Sequence, residues 1–127
     1  MANPNIVAVS SFYANTVFDA DVAASAVSLL TCGSNKVQKI NSLVIANIDG
    51  TNSASVTLNF FDTDSDGSGT DRTNPIASTV DVPADSTLVV SDKNSSFYLE
   101  EGDKITGGAS ANADLQCTIS YEEIDDA

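Results

Sequence analysis

The sequence predicts an all-β chain: an antiparallel β-sandwich, jelly-roll-like, with about eight short strands. Three observations lead there. Apolar and polar residues alternate along several segments, the period of a strand with one buried face. Turn-forming Asp, Asn, Gly and Pro residues interrupt the chain at intervals of about ten residues. Ser, Thr, Val, Ile, Asn and Asp dominate the composition, whereas Lys and Glu are scarce.

Taken in order, the first helix-like stretch is Asp21-Val22-Ala23-Ala24-Ser25-Ala26. It is too short to stand alone and runs into Val27-Ser28-Leu29-Leu30, which reads as strand. Leu43-Val44-Ile45-Ala46 is apolar on both faces, so it reads as a central strand or as one whose outer face is covered by a partner. Asp49-Gly50-Thr51-Asn52 carries the Asp-Gly hairpin signal and separates it from Ala54 to Phe60. In that next run Ala54, Val56, Leu58 and Phe60 alternate with Ser55, Thr57 and Asn59. A polar loop spans Asp62 to Asn74, and Ile76 to Val82 alternates again. Pro83, which has no N–H for a ladder, ends that strand, and Pro83-Ala84-Asp85 turns the chain into Ser86 to Val90. Gly102, between Phe97-Tyr98-Leu99 and Lys104-Ile105, suits a corner with positive φ, and Asp103 can accept from nearby backbone N–H groups. The last strand, Ala113 to Tyr121, places Leu115, Cys117, Ile119 and Tyr121 on one face.

The 127 residues make one domain, read as an N-terminal docking arm over residues 1–20 and a β-sandwich over residues 21–127. The 18 acidic residues against 5 basic ones give a net charge of -13. Such a chain is repelled by phosphate, so neither nucleic acid nor an anionic membrane surface is an expected partner. With no His, a Ser-His-Asp triad, a Cys-His pair and imidazole metal ligation are excluded. Met1 to Asn5 lack the basic residues of a secretory signal, which implies synthesis in the cytosol.

Four segments carry a resemblance. They are Lys39-Ile40-Asn41-Ser42-Leu43-Val44-Ile45-Ala46-Asn47, Val82-Pro83-Ala84-Asp85-Ser86-Thr87-Leu88, Leu99-Glu100-Glu101-Gly102-Asp103-Lys104-Ile105, and Ile119-Ser120-Tyr121-Glu122-Glu123-Ile124. In this order the stretch from Val37 to Ile124 resembles small virion structural proteins of tailed bacteriophages, especially phages of marine bacteria, and most of all capsid decoration (cement) proteins. The resemblance implies a compact sandwich on the capsid surface, with the major capsid protein as partner, present as a homo-oligomer or as a symmetric array over the particle. Similar sandwiches serve as tail, neck or fibre modules, including receptor-binding ones. The first 36 residues carry none of the resemblance.

Among candidate sites, Asp62-Thr63-Asp64-Ser65-Asp66-Gly67 matches the first half of a calcium loop, with oxygen ligands at alternate positions and a Gly at the bend. The twelfth position is Thr73 rather than a bidentate Glu, and Asp71 is the nearest substitute. The expectation is therefore a solvated acidic tip, with Asp62, Asp64, Asp66 and Asp71 as a low-affinity calcium set at most. The paired acids Glu100-Glu101, Glu122-Glu123 and Asp125-Asp126 do not suit a glycosidase, because strand neighbours point to opposite faces. No catalytic residue, resident metal or cofactor is assigned, and the chain is read as a non-enzyme. Cys32 and Cys117 read as buried thiols, with a disulfide as the sharper alternative. Phe12, Tyr13, Val17 and Phe18 read equally as core of a first strand or as anchors on a partner.

Overall fold

The computed structural model describes residues 11–19, 27–63, 70–111 and 114–125, and for residues 11–19 the backbone. The strands are β1 (Ser11–Asp19), β2 (Val27–Thr31), β3 (Lys36–Asn47), β4 (Ala54–Asp62), β5 (Arg72–Val82), β6 (Thr87–Ser91), β7 (Phe97–Leu99), β8 (Lys104–Ala109) and β9 (Leu115–Asp125). A 3₁₀ turn, Lys93–Ser95, separates β6 from β7. Asp92 caps it, accepting from Asn94 N at 2.9 Å. The helix-like stretch Asp21 to Ala26 lies outside the described residues.

Two antiparallel sheets result. One has the order β1-β9-β3-β6, with β7 also on β3, and the other has the order β2-β8-β4-β5. β6 and β7 pair with successive stretches of β3, at Leu43 to Ala46 and at Gln38 to Ile40. Counted as one interrupted strand, they make eight. The first strand then pairs with the last, the second with the second-last, the third with the third-last, and the middle two with each other. That nesting is one long hairpin rolled into two layers, the jelly roll that the strand pattern predicts.

The inner faces follow from the alternation. Ile40, Leu43, Ile45, Leu99, Leu115, Cys117, Ile119 and Tyr121 face Leu29, Leu30, Ala54, Val56, Leu58, Val82 and Ile105 across the core. In β3 the buried positions switch from even to odd numbers. A bulge causes the switch: Ile40 pairs with Tyr121 and Ser42 with Ser120, so Asn41 is an extra residue and both halves of β3 keep their apolar side inward. Phe60 on β4 meets Phe97 on β7 edge to face at 6.0 Å, tying the two sheets together at one end. At Gly107 of β8 an added Cβ would stand 2.8 Å from Leu29 Cδ1 and 2.9 Å from Leu58 Cδ2, so the side chains of the two flanking strands, β2 and β4, close over its backbone.

Asp49-Gly50 does not make a hairpin. β3 and β4 belong to different sheets, and the segment between them crosses the top of the sandwich. Polar side chains bend it. The buried Asn47 donates to Asn52 O at 3.0 Å and Val82 O at 2.9 Å, and its Oδ1 accepts from Asp49 N. Asp49 in turn accepts from Thr51 N and Asn52 N, which holds its carboxyl below the ordinary value.

The corner between β7 and β8 matches its sequence reading. Gly102 has φ +86°, and an added Cβ would meet Thr63 Oγ1 at 2.9 Å. Gly102→Ala is expected to cost about 1–3 kcal/mol, from backbone strain plus that contact. Urea denaturation checks it, and an unchanged midpoint would contradict the reading.

Candidate interaction surfaces

The inward alternation of β9 continues past Tyr121 to Glu123, so a carboxylate enters the end of the sandwich. It is compensated there. Gln38 Nε2 donates to Glu123 Oε2 at 2.7 Å, and Lys36 Nζ lies 3.3 Å from Oε1 and 3.8 Å from Asp125 Oδ2. Glu122 falls on the opposite face, directly across from Lys39. The two neighbours therefore share no site, in keeping with strand geometry.

Asp103 is the second buried acid. Its Oδ1 accepts from Thr63 N at 3.0 Å and its Oδ2 from Glu100 N at 3.0 Å. The backbone beside it is tied to Cys32, with Cys32 N donating to Asp103 O and Gly102 N to Cys32 O. Burial pushes the Asp103 carboxyl above its ordinary value of 3.8, with those hydrogen bonds opposing. Cys32 and Cys117 are both buried, and neither forms a disulfide. Burial, together with Glu123 and Asp103, pushes the Cys32 thiol up to about 12, so it stays protonated and inert at neutral pH.

Two outer faces remain. On the five-stranded sheet, directly opposed residues share a face and form rungs across the strands. One rung is Thr118, Val44 and Val89; another is Glu122, Lys39 and Tyr98; a third is Ile124 and Val37. Val89 is 59% exposed and Tyr98 55%. Leu43 and Ile45 are fully buried while Val44 and Ala46 turn outward, so the segment apolar on both sides spends one side on the core and the other here.

The other face belongs to the four-stranded sheet. There Ser55, Thr57 and Asn59 of β4, Thr79 of β5, Gly108 of β8 and the adjoining Ser110 line a groove of ≈ 290 Å³. Thr79 has φ +50°, a conformation that costs a β-branched residue about 1–3 kcal/mol. Two register shifts in the β4–β5 ladder accompany it.

The sequence-derived candidates fall as follows. The register sets Phe12 opposite Ile124, Tyr13 opposite Glu123, Val17 opposite Ile119 and Phe18 opposite Thr118. Residues 11–19 of the expected arm are thus a strand of the sandwich, and residues 1–10 lie outside the described residues. Asp62 ends β4 opposite Arg72, Asp71 precedes β5, and Asp64 and Asp66 lie outside the described residues. Among the described residues no three acidic or Cys side chains are grouped to hold a metal. Val89, Tyr98 and the groove were not singled out in sequence. An alternation reading of Thr87 to Ser91 could have found Val89, whereas the groove depends on which strands become neighbours.

No protein-family model matches the chain, and no curated protein matches it. In three dimensions it is similar to a chain of the Bacillus endospore appendages, a family of disulfide-linked pili. That likeness has 19% identity, a TM-score of 0.51, and covers 92% of this chain and 90% of that one. It is also similar to a chain of infectious bursal disease virus, Gx strain, with 10% identity and a TM-score of 0.52, over 94% of this chain and 34% of the viral one. This chain spans about a third of that viral chain. At these identities the likeness is one of fold.

A raised Asp103 pKa has a signed consequence. The folded chain holds that proton more tightly than the unfolded one, so the stabilisation is complete below 3.8 and is lost as pH rises through the folded pKa. Urea midpoints across this range, compared with those of Asp103→Asn, should move against the wild type as pH rises. A pH-independent difference would remove the burial argument.

Proposed function

We propose that the chain is a non-enzymatic structural protein that docks on an assembled, symmetric shell and reinforces it: a decoration protein on the capsid surface of a tailed phage, with the major capsid protein as partner. The observation that carries this reading is the outer face of the five-stranded sheet. In a chain of net charge -13, that face offers Val89 and Tyr98 more than half exposed, backed by the half-buried Val44. Burying each such side chain contributes about 1.5–3 kcal/mol, against about 0–1 kcal/mol for an exposed ion pair. A few apolar anchors therefore outweigh rim charges, and high salt leaves them intact.

A protein that binds only the assembled shell stabilises it by mass action, and symmetry repeats the contact. The acidic surface keeps unbound copies soluble and mutually repelling, and suits a basic partner surface. The first residues, leading into β1 at the sheet edge, would serve as an arm onto the same partner. The fold is shared with a pilus chain and with a virus chain, both parts of larger assemblies. The disulfide linkage of those pili is not carried over, because Cys32 and Cys117 are 1% and 2% exposed.

The alternative is a tail, neck or fibre module. The pilus likeness favours it, since it covers 90% of a chain that assembles into a fibre.

Val89→Asp combined with Tyr98→Ala leaves the core untouched and should abolish co-sedimentation with stripped particles, by at least about tenfold in affinity. Removing residues 1–10 should weaken binding while β1 stays in place, and the intact protein should stay bound in molar salt. Release by salt, or full binding by the double variant, would contradict this docking face. Copy number separates the two readings: many per particle for decoration, few for a tail or neck part.

A further inference from the structure

We propose that the groove on the outer face of the four-stranded sheet is a binding site for a neutral saccharide. It lies on the face opposite the proposed docking surface and does not depend on that reading.

The lining is the first observation. Ser55, Thr57, Asn59, Thr79 and Ser110 surround a floor provided by Gly108, and none of the lining side chains is charged. With 23 charged side chains, 18 acidic and 5 basic, in 127 residues, an uncharged patch of this size selects against ionic ligands. Its ≈ 290 Å³ sits at the small end of ligand sites, which span about 300–1,000 Å³.

Hydroxyl orientation is the second. Thr57 Oγ1 accepts the backbone N–H of Thr79 at 3.0 Å, and Ser110 Oγ accepts that of Ser55 at 2.9 Å. Each hydroxyl has one acceptor direction fixed by the main chain, which leaves its own proton to be donated outward. Asn59, between them and the strand end, adds an amide with donors and an acceptor. Oriented hydroxyl donors and an amide around a small apolar floor of Gly108 and Ala109 recognise a ligand that offers many neutral oxygens and some C–H surface. A sugar has both.

Strain is the third. The left-handed Thr79 is what brings its N–H to Thr57 rather than into the ladder. A glycine or asparagine there would adopt the same backbone without that penalty. The strained threonine keeps a hydroxyl and a methyl on the groove wall, which a binding role explains and an edge strand does not require.

The test is a titration of the ¹⁵N-labelled full chain with maltose, lactose and chitobiose, with glucuronate and N-acetylneuraminate as charged controls. At least one neutral sugar should shift amides of residues 55–59, 79 and 108–110, with a Kd on the order of 1–10 mM. Asn59→Ala should weaken this at least about tenfold while the spectrum stays dispersed. Ser110→Ala, at an exposed loop position, gives the same readout should the first variant fail to fold. The proposal is overturned if no neutral sugar moves these amides, if the anionic sugars bind as well, or if neither variant weakens the shifts.

Discussion

The ladder between β3 and β9 is the constraint on which the rest of the structure depends. Antiparallel pairing runs from Lys36 opposite Asp125 to Asn47 opposite Leu115, through the middle of the five-stranded sheet. It joins residues about eighty apart in sequence, so its closure entropy is met only when the whole nest of strands folds around it. Its inward side supplies Ile40, Leu43, Ile45, Leu115, Cys117, Ile119 and Tyr121, seven of the seventeen buried residues of the apolar core among the described residues. The Asn41 bulge keeps both halves of β3 in phase with β9; taken into the ladder as an ordinary strand residue, Asn41 would turn one half inside out.

With the inner faces committed, the outer faces are where the chain can meet other molecules, and they differ in chemistry. One carries rungs of Val44, Val89 and Tyr98; the other carries hydroxyls and an amide around Gly108. The buried carboxylates belong to neither. Glu123 and Asp103 hold the ends of strands together through Gln38, Lys36 and the backbone of Thr63 and Glu100, which is structural work. These two buried carboxylates are thus occupied with the chain's own corners, and the two outer faces are left for contact with other molecules.

Much of this was legible in the sequence. Ala54 to Phe60 and Leu115 to Tyr121 lie in strands with their apolar sides inward, because period-two alternation is a property of the strand itself. The Gly102 corner was legible for the same reason: positive φ and a backbone-capping Asp are local. Asp49-Gly50 misled as a hairpin signal. Apart from β4–β5 and β6–β7, every connection here crosses between sheets, and a turn dipeptide does not say which strand its successor will join. The two-sided apolarity of Leu43 to Ala46 pointed to an outward surface, but Tyr98 joins it only through the β3–β7 register. The groove was hidden for the same reason, since Thr57, Thr79 and Ser110 meet only once β8, β4 and β5 are neighbours.

The most direct measurement is cryo-electron microscopy of purified particles that carry this chain. The account predicts jelly-roll density at symmetry-related positions over the shell, with the β3–β6–β7 face and its Val89 and Tyr98 against the capsid and the Gly108 groove turned to solvent. Density confined to the tail or neck, or seated on the shell through the groove face, would contradict it.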